Sequence, residues 1–137
     1  MRRTIFLVCM TISLSTFWGC TDKLTTDLLD SMVATYSVSE TWMENKVSMS
    51  RPTFTMNVVK SFQNTDKILL NNFGNYGVGT TVEATAKDNS LTIIKQTLPN
   101  SRIVEGTGTS SDTGMDFTYT ETQGTVSVTI TATCKKL

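Results

Sequence analysis

Glu40, Lys60, Lys95 and Glu105 stand in stretches whose other in-phase residues are apolar, and a charge on an apolar face is where side chains do chemistry. If those faces turn inward, the four would meet as ion pairs or hold the polar head of a ligand. If they fall at strand ends or bulges they reach solvent, the usual place for such groups, and that placement is expected here. Acid-base work by two carboxylates, as in glycoside hydrolysis, needs a pair held roughly 5 to 9.5 Å apart around a cleft. The chain has 12 Asp and Glu residues, enough to form such a pair by accident, and nothing in their spacing singles one out. There is no histidine, which removes the commonest general base and metal ligand and excludes a His-dependent serine triad. Cys9, Cys20 and Cys134 are scattered without a CxxC spacing, so neither a zinc site nor a redox motif is supported. The expectation is a protein that is not an enzyme, with no catalytic residue, no metal and no cofactor.

The N-terminus carries a different kind of chemistry. Met1, Arg2 and Arg3 form a short basic region, followed by an apolar stretch from Ile5 to Trp18 that Thr and Ser interrupt. This is the layout of a secretory signal, too short for a membrane span of about 20 apolar residues. The stretch ends in Phe17-Trp18-Gly19-Cys20, which resembles a bacterial lipobox, where a small residue precedes the cysteine that receives lipid. The resemblance implies cleavage before Cys20 and a diacylglycerol thioether plus an N-acyl chain on that residue. Several acyl chains, at about 0.8 kcal/mol for each buried CH₂, make such an anchor effectively permanent. The alternative is a plain secreted, soluble protein cut after Ser15, with Ser13 and Ser15 as the small pair. Thr21 stands where an Asp would signal inner-membrane retention in enteric bacteria, so delivery to the outer membrane is expected, facing the periplasm or the cell surface.

Removal of residues 1–19 takes Arg2 and Arg3 and leaves 10 basic against 12 acidic side chains, a formal charge of −2. Without a basic cluster there is no electrostatic footprint for nucleic acid. The chain then divides into a signal peptide (1–19), a lipidated tether with a short helix (20–32) and one domain (33–137). Leu24, Leu28 and Met32 recur every four residues with Leu29 adjacent, a stripe that suits one or two helical turns. Asp30-Ser31-Met32 is similar to the Asp-Ser/Thr-apolar sequence that Bacteroidetes use for O-glycosylation. Three-residue matches are common by chance, and no glycan is assigned to Ser31 on it.

Beyond Met32 the period shortens to 2, and roughly a fifth of the mature chain is threonine, which suits the wet face of a strand. In "TVSVTITATC" Val126, Val128, Ile130, Ala132 and Cys134 alternate with hydroxyl residues, and Cys134 reads as a small buried hydrophobe. Working backwards, "GMDFTYTET", "RIVEGTGTS", "SLTIIKQTL", "TTVEATAK", "DKILLNNF", "PTFTMNVVKSFQ" and "ATYSVSETW" give seven further strands. Phe54, Met56, Val58 and Phe62 are in phase in one, Tyr36, Val38 and Trp42 in another. The joins are short, with hairpin signals at Asp88-Asn89 and Gln123-Gly124. Short joins favour an antiparallel meander, and an even strand count allows it to close on itself and leave no open edge. The expectation is therefore an all-β, eight-stranded antiparallel up-and-down barrel with a short N-terminal helix, the alternative being a β-sandwich.

"KILLNNFGNYG", "VEATAKDNSLTIIKQT", "IVEGTGT", "FTYTET" and the terminal "TATCKK", in that order, resemble the small calycin-like or lipocalin-like β-barrel lipoproteins abundant in Bacteroidetes. The resemblance implies a barrel with an apolar cavity and no catalytic residues, and it carries over no ligand residue by residue.

Two functions follow. In the first, the protein is a non-catalytic interaction or structural lipoprotein whose interior is filled and whose partners are the membrane, through Cys20, and a surface protein or glycan. In the second it binds a small apolar ligand in a cavity lined by Tyr36, Trp42, Phe54, Met56, Phe117 and Tyr119, with Leu24 to Met32 as a lid. Eight strands enclose a space just wide enough to be filled by side chains or to hold one small ligand, and the supply of Phe, Met and Leu favours filling. The loop "NNFGNYGVG", Asn71 to Gly79, carries Phe73 and Tyr76 without a strand phase. They either present aromatic contacts to a sugar or protein, or fold over a barrel mouth as a plug, and the plug is favoured.

Overall fold

The computed structural model describes residues 28–137. Residues 28–32 form the short helix, and β1 (Ala34–Glu44), β2 (Val47–Ser50), β3 (Phe54–Lys60), β4 (Lys67–Asn71), β5 (Thr81–Lys87), β6 (Ser90–Leu98), β7 (Arg102–Ser110), β8 (Gly114–Gln123) and β9 (Val126–Lys136) follow. Every pairing is antiparallel. β1 also pairs with β9, from Tyr36 opposite Lys136 to Trp42 opposite Ile130, so the meander closes into a barrel and not a sandwich.

The barrel has eight staves, and one of them is broken. β2 and β3 lie in succession along the same side of β1, Thr41 pairing with Ser50 and Val38 with Phe54. Ser39 and Glu40 therefore face three residues, Arg51, Pro52 and Thr53. This is the extra-residue geometry of a bulge, and Pro52 fits it because it has no N–H to give the ladder. The sequence pattern missed β2, whose four residues are all exposed and show no burial period. β3 stops at Lys60, so Phe62, expected in phase with Phe54, Met56 and Val58, lies instead on the loop that follows and is 101% exposed.

Inside, alternate residues of every stave but the short β2 converge. Tyr36, Met56, Val58, Ile68, Leu70, Val82, Leu91, Ile93, Val104, Phe117, Tyr119 and Ile130 are all 2% exposed or less. The Gly-Thr-Gly of β7 makes room for the largest of them. Gly106 faces Tyr119 and Gly108 faces Phe117 across the ladder, and a Cβ at either would lie about 2.5 Å from the aromatic residue opposite. On the outer face Thr85, Thr92, Thr107, Thr118, Thr131 and Thr41 run as one row across six neighbouring strands. Such opposed pairs contribute about 0.2–1 kcal/mol each while keeping that face wet.

The meander gives the barrel two different ends. One carries the helix, the β3–β4 loop, the β5–β6 and β7–β8 turns and the C-terminus. The other carries the β1–β2 hairpin at Asn45-Lys46, the long β4–β5 loop, the β6–β7 turn at Pro99–Ser101 and the β8–β9 turn.

Candidate functional site

The loop end holds the charged cluster of the barrel. Glu40 follows Tyr36 and Val38 in inward phase on β1 and is only 1% exposed. Its expected route to solvent is overturned, because the stave break aims a partner at it from the neighbouring strand. Arg51 donates from Nη1 to Glu40 Oε2 at 3.0 Å and to the Gly74 carbonyl at 2.6 Å, and from Nη2 to Glu121 Oε2 at 2.9 Å. Tyr119 OH donates to the other Glu40 oxygen at 2.9 Å. Glu121 continues the inward phase of Phe117 and Tyr119 on β8, and Arg102 opens β7 with its Nε 3.1 Å from Glu121 Oε1, outside hydrogen-bonding direction.

The β4–β5 loop closes over this cluster. Asn72 and Asn75 take left-handed backbone (φ 63° and 58°), as does Gly74 between them (φ 62°), and the chain bends sharply inward. Phe73 enters the core at 2% exposure, its ring 4.6 Å from that of Tyr119 and edge-on to Phe117 at 5.9 Å. Tyr76 donates to Glu121 and has two guanidinium groups over its ring, Arg102 at 4.3 Å and Arg51 at 5.4 Å from the ring centre. Arg51 also faces Trp42 at 5.5 Å. Asn72 Nδ2 bonds the Thr55 carbonyl at 2.8 Å and its Oδ1 accepts from the Gly77 amide at 2.9 Å, fastening the base of the loop to β3.

Burial raises the Glu40 carboxyl above its ordinary value, and the bonds from Tyr119 and Arg51 offset this only in part. Burial likewise raises the Tyr119 phenol, with the Glu40 charge adding to it, and the Tyr76 phenol, held as donor to Glu121. A carboxyl with raised proton affinity has the property of a general acid. Glu40, however, is sealed beneath the loop with both oxygens engaged, which makes it a latch for Arg51.

Of the residues expected to line a cavity, Tyr36, Phe54, Met56, Phe117 and Tyr119 are all in the packed core, while Trp42 is half-buried at the loop end. Phe73 is the plug and Tyr76 is half-buried in the latch. One concavity lies on the outer face, a groove of about 510 Å³ between β4, β5 and β6 beside Glu83, Ile94 and Gln96. Lys60 pairs with Asp30 at the helix end, and Lys95 lies 4.0 Å from Glu105 on the outer face, both partly or wholly exposed as expected. Ser31 is exposed and its hydroxyl bonds the Leu28 carbonyl at 2.7 Å. Cys20 and Leu24 lie outside the described residues. Among those described, no three His, Cys, Asp or Glu side chains converge on a point.

Arg51, Arg102 and Glu121 were not singled out from the sequence. Glu121 was legible by its phase with Phe117 and Tyr119. Arg51 offered only the neighbouring Pro52, and Arg102 only its position before a strand. No protein-family model matches the chain, and no curated protein is significantly similar to it.

Proposed function

We propose that the protein is a non-catalytic lipoprotein, anchored to the outer membrane through lipid on Cys20, whose loop end meets a surface protein or glycan. The observation that carries this reading is the filled interior. The core side chains, from Tyr36 on β1 to Cys134 on β9, are 9% exposed or less, with Leu29 and Met32 beneath them and Phe73 above, which supports a partner met on the outside.

The rim of the loop end supports that role. Met43, Val47, Val78 and Val126 are 59–88% exposed there, around the half-buried Trp42 and Tyr76. Apolar side chains gathered around aromatic rings suit contact with a protein or the faces of a sugar. The short helix enters at the opposite end, so a tether from Cys20 leaves the loop end pointing away from the bilayer. Binding of a small apolar ligand inside the barrel is the competing reading, and it requires Phe73 to withdraw from its contacts with Phe117 and Tyr119.

The native mass spectrum of the chain purified from bacterial membranes tests the choice. A mass equal to protein plus Cys20-linked lipid is expected. A reproducible additional apolar molecule, released on denaturation, would replace the filled barrel with the ligand-binding reading. Cys20→Ala is expected to abolish the lipid mass, and a chain already lacking that mass would end the anchor reading.

A further inference from the structure

Phe62 is the most exposed large apolar side chain of the described residues, at 101%. It sits on a fastened loop. The Ser61 amide donates to the Lys67 carbonyl at 3.0 Å, the Gln63 amide to Ser61 Oγ at 3.3 Å, and Lys60 at the loop base pairs with Asp30 of the helix. The ring is thus held out beside the helix while its loop neighbours, Ser61 and Gln63 to Asp66, are polar.

Two further apolar side chains share this end. Leu137 is 76% exposed, its amide bonded to the Thr35 carbonyl at 3.0 Å, and Val33, between the helix and β1, is 40% exposed. All three flank the place where the chain arrives from Cys20. Seven residues separate Cys20 from Leu28, and the eight steps between them span at most about 28 Å, so a lipid on Cys20 would keep this end within that distance of the bilayer.

We propose that the helix end of the barrel is a membrane-contact surface, with Phe62 inserted into the phospholipid interface and Leu137 and Val33 resting against it. This rests on the anchor reading of Cys20. A single exposed apolar residue is ordinary on a protein surface. The position of this one, on a loop that is hydrogen-bonded at its base and lies at the tethered end, is what suits an interfacial aromatic anchor, where ring burial adds to lipid chains already inserted. The contact also fixes orientation, because a second point of attachment beside the lipid anchor stops the barrel from tumbling and keeps its loop end outward.

The test uses the full chain carrying Phe62→Trp, expressed in a bacterial host and reconstituted into phosphatidylcholine vesicles with brominated acyl chains. The added indole, isolated as the difference spectrum from the unsubstituted chain, is expected to shift to shorter wavelength and lose most of its emission. Trp42, at the other end, is expected to keep its emission. An unquenched Phe62→Trp signal overturns the proposal, and so does quenching of Trp42 instead. Mass spectrometry of the N-terminal peptide reports the Cys20 lipid separately, so loss of the anchor and failure of insertion are read independently. If the lipid is absent, quenching on addition of vesicles still decides whether Phe62 enters them.

Discussion

The two mouths of the barrel are closed by different physics. At the helix end Leu29 and Met32, 3% and 2% exposed, drop apolar side chains onto the core, and the polar contacts are few and peripheral: Tyr36 OH donates to the Met32 carbonyl at 2.9 Å, Lys136 Nζ to the Ser31 carbonyl at 2.8 Å, and Lys60 pairs with Asp30 in solvent. At the loop end Phe73 does the same apolar work, but above it stand Glu40, Arg51, Glu121 and Arg102. Burial raises the Glu40 carboxyl, so its charged form is less favoured here than in water and holding that one charge under the loop costs something. What the latch adds is direction: Arg51 reaches the Gly74 carbonyl and Tyr76 reaches Glu121, and each bond sets where the loop lies.

Removing the apolar parts of the two closures should break this comparison most. Phe73→Ala leaves a void against Phe117 and Tyr119 and is expected to cost about 3–5 kcal/mol in urea denaturation. Leu29→Ala, on one turn of helix at the edge of the core, should fall near the low end of the ~2–5 kcal/mol range for such truncations. Equal losses would mean that the helix is as integral to the barrel as the plug.

Arg51→Met leaves Glu40 buried without its cation. Such a break costs about 3–5 kcal/mol in a sealed pair, and the partial exposure of Arg51 places this one at or below the lower end. Adding Glu40→Gln should restore most of the loss, and a double-mutant cycle measures the coupling. If Arg51→Met costs as much in the Glu40→Gln background, the arginine acts by packing on Trp42 and Tyr76 instead.

Glu40 also gives the loop end a pH dependence of definite sign. Its folded pKa is raised, so between the ordinary carboxyl value of 4.5 and that raised value the folded state holds more protons than the unfolded state. Stability from this group is therefore full below the ordinary value and lost as pH rises through the raised one. Melting curves of the parent and Glu40→Gln should diverge over that interval, and parallel curves would remove Glu40 as their source.

Smaller effects sharpen the contrast. Tyr76→Phe removes one bond to Glu121 and should cost about 1 kcal/mol. It keeps the ring's contacts with the two guanidinium groups, so a larger loss would show that the hydroxyl organises the whole latch. Cys134, 2% exposed, has its thiol pushed up to about 12 by burial, with the Glu40 and Asp116 charges adding. It should resist alkylation at mildly alkaline pH in the folded barrel and react on unfolding. Reaction without unfolding would mean that one of the mouths opens.

Much of the wall was legible in the chain. Strict alternation in "TVSVTITATC" and "GMDFTYT" assigns inner and outer faces, and closure follows from short joins and an even number of staves. Phe62 misled because a parity continues on paper after a strand has ended. β2 was invisible because all four of its residues are exposed, which leaves no alternation of dry and wet positions to read. The candidate site was half legible: Glu40 and Glu121 lie in inward phase, whereas the arginines that meet them do not follow from any period.

By itself, then, the sequence determined the fold class, the inner and outer faces, the buried character of Cys134 and the tendency of a Phe- and Met-rich interior to fill. These depend on local alternation and on side-chain volume, which are properties of a chain read along its length. Only the tertiary structure decided that Arg51 turns inward, that Phe73 seals one mouth and that Phe62 stands beside the other. Each of those depends on a bulge, a left-handed turn or a strand end, where one residue's shift in register changes which way a side chain points.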